Sequence, residues 1–278
     1  MSNKFIFDSF IGNSTFVSLE LGDIFITHRS RVANVIVGLE YVEQPDPSGI
    51  KRLQPIIDFI KDNLTDYPHP DLFEVINANL VSRLLYYSDL DLSSKLGSLS
   101  VTLDVASMEV FPFPFASTIT CTPAGESNGL VLFKLEDILI PACDSVADVF
   151  VSLDYIDGFD VNGFKPLQPI ADFVKDSLTD YPHPDLFEVI NRNLTFGLFS
   201  NCDLELSSVL NSLSITLSVP QGRVPLPLTS TVTATSTRAT QLSVLADNLV
   251  GFSAEQLAHP FYNNIDNNID GNTLKRFW

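Results

Sequence analysis

The phrase DLFEVIN occurs twice, and its acids are the first residues whose type and spacing suggest chemistry. Asp71–Glu74 and Asp185–Glu188 are D-x-x-E pairs ahead of apolar helical runs. That is the spacing of a helix cap, with an acid at the third helical position reaching back to the backbone. Histidine offers little. His69 and His183 each stand alone in a YPHP turn, and His28 and His259 have no partner at metal-ligand spacing, so no zinc set is expected. Cys121, Cys143 and Cys202 are odd in number and lack a CxxC pair, which reads as reduced thiols rather than a disulfide frame. Asp266, Asn268, Asp270 and Gly271 fit the first half of a calcium loop, but Phe277 stands where the closing Glu should be. An Asn/Asp-rich turn is the simpler reading. No catalytic residue, metal site or cofactor is expected.

The elements that carry these residues are written twice. Residues 53–80 and 167–194 agree at 24 of 28 positions at an offset of 114. Self-similarity at a fixed period decides the architecture before anything else. The offset extends upstream, where VSLELGDIFI (17–26) lies over VLFKLEDILI (131–140), and downstream, where LSSKLGSLSVTLDV (92–105) lies over LSSVLNSLSITLSV (206–219). Val35, Val37, Leu39 and Tyr41 alternate with polar or small neighbours and predict a strand, repeated by Val149, Val151, Leu153 and Tyr155. Leu53, Ile56, Ile57 and Ile60 fall at helical spacing. The YPHP break at 67–70 stops that helix, and a second is expected from Asp71. Each copy therefore reads β-β-α-α-β-β. The expected divisions are an N-terminal arm (1–14), repeat 1 (15–122), a linker (123–129), repeat 2 (130–236) and a C-terminal tail (237–278).

Composition narrows the partners. There are 34 acids against 16 bases, a net charge of −18, so a nucleic-acid backbone or an acidic membrane surface is not an expected partner. Charged residues make up only 18% of the chain, below the ordinary 25% or so, and 21 residues are Phe. Much of the outer surface is thus expected to be buried in an assembly, with a surface rich in Ser, Thr and Asn as the competing reading. The first residues have no sustained apolar run of signal-peptide type, and no stretch has membrane-spanning length, so the cytoplasm is the default location. The aromatic stretch FIFDSF and the final LKRFW, with Phe5, Phe7, Phe277 and Trp278, read as assembly contacts.

With that order of elements and the phrases DLFEVINRNL, LSITLSV and STVTAT in view, both copies resemble the tunnelling fold (T-fold). This superfamily includes dihydroneopterin aldolase, GTP cyclohydrolase I, pyruvoyl-tetrahydropterin synthase and urate oxidase. The resemblance implies an α+β fold of two tandem units, each an antiparallel sheet with its helices on one face, expected to close into a barrel on oligomerisation. Two units in one chain are similar to urate oxidase in architecture. The resemblance also implies a pterin- or purine-like ligand at interfaces between units, held by a glutamate on the second helix, here Glu74 and Glu188. Capping and ligand anchoring can coexist at these positions. The aldolase-like lysine after the third strand has no counterpart, because no lysine lies between Lys95 and Lys134 or between Lys175 and Lys275. Its general acid–base chemistry is therefore not expected.

The leading expectation is a self-assembling structural protein whose partner is itself. It would form tunnel-containing rings that can stack into tubes or filaments, without aldolase chemistry. The alternative is a pterin- or purine-binding T-fold enzyme with sites at unit interfaces. A module for a basic protein partner also remains open, since the surface is acidic.

Overall fold

The computed structural model describes residues 3–11, 14–42, 53–69, 71–107, 113–156, 163–219 and 228–236; of residues 3–11, 14 and 28 only the backbone is described. Among the described residues, nine antiparallel strands form one sheet in chain order: β1 (Asn3–Ile11), β2 (Ser14–Ile26), β3 (Arg31–Tyr41), β4 (Leu96–Val105), β5 (Phe115–Cys121), β6 (Ser127–Ile140), β7 (Ser145–Tyr155), β8 (Leu210–Val219) and β9 (Leu228–Thr235). Helices α1 (Leu53–Thr65) and α2 (Phe73–Leu85) lie between β3 and β4. Helices α3 (Leu167–Thr179) and α4 (Phe187–Phe199), with the short α5 (Leu206–Val209), lie between β7 and β8. Strands β2–β5 and β6–β9 with their helices thus each follow the expected β-β-α-α-β-β order.

The helices cover one face because strand alternation puts the apolar residues there. Val35, Val37 and Leu39 of β3 are fully buried, as are Val149 and Leu153 of β7. Helix α1 buries Leu53, Ile56, Ile57, Ile60 and Leu64, each contributing about 1.5–3 kcal/mol when fully removed from water. Helix α2 packs on β4 and β5, and α4 packs on β8 and β9. The other face of the sheet carries hydroxyls and acids. Thr102 and Thr118 are hydrogen-bonded across strands at 2.8 Å, as are Thr216 and Thr231 at 2.8 Å. Ser98 donates to Glu40 at 2.8 Å and Ser212 donates to Asp154 at 3.3 Å. Phe16, Ile36, Leu132 and Phe150 interrupt this polar surface and are well exposed.

The offset of 114 holds in the strand pairing. Val17 pairs with Leu39 as Val131 pairs with Leu153, and the bulge between Leu21 and Ile24 recurs between Leu135 and Ile138. Asp23 and Asp137 turn each bulge with positive φ (59° and 55°). Their N–H groups donate to the side-chain oxygens of Asn34 and Asp148 at 3.4 and 3.3 Å. Local side-chain partners of this kind let a non-glycine residue hold the left-handed conformation.

The structure adds two features within the expected arm and linker. Residues 3–11, expected as an arm, form β1 and pair with β2. The joint between the copies is a hairpin: the Gly125 N–H donates to Thr122 O at 3.0 Å, and β6 begins at Ser127. Gly125 supplies the positive φ of 89° that such a turn needs. The sheet therefore runs through β5 into β6 without a break. Among the described residues, no helix is long and apolar enough to cross a membrane.

Candidate functional site

The twice-written YPHPD turn orders each pair of helices from inside its own unit. The Tyr67 hydroxyl donates to Asp71 Oδ2 at 2.9 Å and accepts from Asn79 Nδ2 at 2.8 Å. Tyr181 repeats this with Asp185 at 2.8 Å and Asn193 at 2.7 Å. One turn further in, Asn77 is fully buried and donates to Val101 O at 2.9 Å and Ser117 O at 2.7 Å. Asn191 reaches Ile215 O at 3.1 Å and Ser230 O at 2.8 Å. The strong identity of this stretch therefore has a cause in packing. Each turn fixes two helices to each other and then to the last two strands of its unit.

This clamp overturns the expected cap. Helix α2 begins at Phe73 with Leu72 at the N-cap and no side-chain capping bond, and α4 begins at Phe187 in the same way after Leu186. Asp71 and Asp185 are taken by the tyrosines, so neither is free to cap. Arg29, from the turn after β2, donates through Nε and Nη2 to the carbonyl of Asp71 and lies 5.7 Å over the Phe73 ring. In the second copy Cys143 stands at that position.

Glu74 then sits one residue into α2 and is 3% exposed, with Oε1 lacking a hydrogen-bond partner. Burial pushes its carboxyl up to about 7, against the lowering effects of its own backbone N–H and of Arg29. Elements of the second unit lie close to it. Helix α2 reaches across β5 to β6. The charge of Glu74 is felt by Tyr155 at the end of β7, whose hydroxyl is raised above the usual tyrosine range, chiefly by burial. Tyr155 is fully buried and packs on Phe164 at 4.6 Å between ring centroids. It stands opposite Gly129, which in turn stands opposite Ile119. Phe73 packs edge-on to Phe115 at 5.2 Å, and Phe113 packs on Phe133 at 5.2 Å. The junction between units is thus an aromatic core holding a buried carboxyl whose Oε1 has no hydrogen-bond partner.

Glu188, at the matching place on α4, is exposed. The two sequence-predicted glutamates therefore occupy equivalent sites in opposite environments, and the structure does not bring them together. Phe5 and Phe7 take positions opposite Leu19 and Val17 in the β1–β2 ladder. Phe277, Trp278 and the turn at 266–271 lie outside the described residues.

Other chemistry is sparse. Lys134 is held by Asp148 at 2.9 Å and Glu136 at 3.0 Å, and these hydrogen bonds keep its pKa above the ordinary value. A raised lysine is a poor general base. A cleft of about 210 Å³ opens between α2 and the β5–β6 hairpin, lined in part by Ser82, Tyr86, Cys121 and Glu126. Burial raises the Cys121 thiol, which lowers its thiolate character. Among the described residues, no three His, Cys, Asp or Glu side chains converge on a common point for a metal. Sequence reasoning did not single out Tyr155, Phe164 or Arg29. Tyr155 was legible only as the last residue of a strand, and its place over Gly129 depends on strand register.

No family model matches the chain, and no curated protein does. Among solved structures, a uricase from Bacillus fastidious is similar in fold, with a TM-score of 0.52 and 9% identity over 78% of this chain and 86% of that one. At that identity the likeness concerns the fold alone. It places the chain's two β-β-α-α-β-β units, on one antiparallel sheet with helices on one face, in the T-fold arrangement.

Proposed function

We propose that this protein is a self-assembling structural protein whose chains join by sheet edges into tunnel-containing rings able to stack into tubes or filaments. The observation that supports this reading best is the contrast between equivalent residues at the two ends of the sheet. Phe115 is 3% exposed, while Leu228 at the matching place on β9 is 36% exposed. Leu72 packs against the core, while Leu186 is 69% exposed. Glu74 is buried and Glu188 is not. All three differences fall on one side, along β9 and the start of α4. Phe115 pairs with Phe133 on β6, and the β2–β3 side of unit one is built to the same pattern as β6–β7. A second copy offering that side fits the uncovered end. The aromatic filling of the existing junction supports a packed joint over a reaction chamber, and Lys165, whose backbone N–H donates to the Tyr155 hydroxyl at 3.4 Å, has its amine paired with Glu205 at 3.0 Å.

Leu186→Asp tests this reading, because the residue is exposed in the single chain and buried only in the assembly. Light scattering should show the wild type as a closed or extended oligomer and the variant at lower mass with unchanged far-UV circular dichroism. Electron micrographs of the wild type should show rings or tubes. A wild type that stays at the mass of one chain overturns the proposal.

One observation favours a second reading, binding of a pterin- or purine-like heterocycle. The unpaired Oε1 of Glu74 is an acceptor without a donor, and such a group costs about 1–3 kcal/mol when buried. Calorimetric titration with a panel of pterins and purines, repeated on Glu74→Gln and Glu188→Gln, decides it. Heat that disappears in either variant supports a ligand site, and no heat with the wild type removes this reading.

A further inference from the structure

The N-terminal strand β1 stands on β2 in the register that β5 takes on β6. Phe115 pairs with Phe133 and Ser117 with Val131 in the internal joint. Phe5 pairs with Leu19 and Phe7 with Val17 in the β1–β2 ladder. Leu19 and Val17 are the residues 114 positions before Phe133 and Val131, so the two ladders share one register from Phe5 to Asp8, beyond which β1 shifts and β5 does not. The slot along β2 that a preceding unit's last strand would fill is therefore occupied by the chain's own first strand.

The two occupants differ in how they are held. Strand β5 is anchored by β4, β6 and α2, whereas the main packing partner of β1 is β2. An incoming β9 would bring α4 with it, as β5 brings α2, and would cover Leu228, Leu186 and Glu188 in one step. Exchanging a lone strand for a strand with its helix keeps the backbone ladder and adds apolar burial. Resting on the assembly reading above, we infer that β1 is a resident strand that blocks the β2 edge. Assembly begins when β1 leaves and β9 of a second copy of this chain takes the vacated register. The partner is a second copy and the contact is β9 on β2, with β1 as its competitor.

Two variants of the full chain test the inference. The first deletes residues 1–13. The second places cysteines at Ile6 and Ser18, which are register partners, with Cys121, Cys143 and Cys202 replaced by Ser. Mass is followed by light scattering over a concentration series, in oxidant and then in reductant. The deletion should assemble at a concentration at least tenfold below that of the wild type. The oxidised double-cysteine protein should stay at single-chain mass and assemble once reduced. If the oxidised form assembles as well as the reduced form while Leu186→Asp still blocks assembly, β1 is a permanent strand and the exchange is wrong, though edge assembly stands. If the deletion, the reduced form and the wild type all remain single chains, both the exchange and the assembly reading fail. The disulfide arm decides the matter should the deletion fail to fold.

Discussion

Glu74 carries the pH dependence that can be argued at the level of a single residue. Its carboxyl is raised from 4.5 to about 7 by burial, which at about 1.4 kcal/mol per pH unit amounts to about 3 kcal/mol. Over that window the folded chain holds a proton that the unfolded chain has lost, so stability is greatest below 4.5 and falls as pH rises through about 7. Glu74→Gln should flatten urea midpoints measured from about pH 5 to about pH 8 and make the variant the more stable form at the upper end. A Glu74→Gln profile as steep as the wild type's would show that another group carries the dependence. The identity of both glutamates was legible in the sequence. Their opposite environments were not, because residues far along the chain, Tyr155 among them, come close enough to Glu74 to feel its charge.

Each helix pair is joined to its sheet by one asparagine. Asn77 ties α2 to β4 and β5 through two backbone carbonyls, and Asn191 ties α4 to β8 and β9. Removing a donor from buried acceptors costs about 1–3 kcal/mol, well above the usual surface change. Asn77→Ala and Asn191→Ala should each lower the urea midpoint, and by similar amounts since the two bonding patterns match. A cost for Asn77 alone would mean that the second unit is not folded cooperatively with the first. Helical and strand periods were readable directly, since apolar residues fall at spacings of three and four in α1 and alternate in β3 and β7. The D-x-x-E pattern misled at the helix start. A cap is decided by which group the aspartate meets, and the tyrosine four residues earlier claims it first.

At the scale of the molecule the charge of −18 opposes any joining of copies. Assembly through an interface of Leu186, Leu228 and strand edges should therefore strengthen as salt screens that repulsion. Raising ionic strength from about 0.01 M to about 0.15 M should lower the concentration of half-assembly several-fold in light scattering. Weakening by salt would instead place paired charges at the centre of the contact. The exposure of Leu186, Leu228 and Glu188 and the pairing of β1 with β2 belong to this scale too, since neither is a property of any one element.

The sequence by itself determined the duplication, the β-β-α-α-β-β order of each copy and the apolar face of each element. These follow from local periodicity and from self-comparison, which need no knowledge of distant contacts. Only the tertiary structure decided that the copies share one continuous sheet, that one glutamate is buried and its twin exposed, and that residues 3–11 occupy a strand slot on β2. The physical reason is common to all three. Burial and strand register are set by which segments meet across long separations, and two identical phrases meet different neighbours when one lies at a joint and the other at an end.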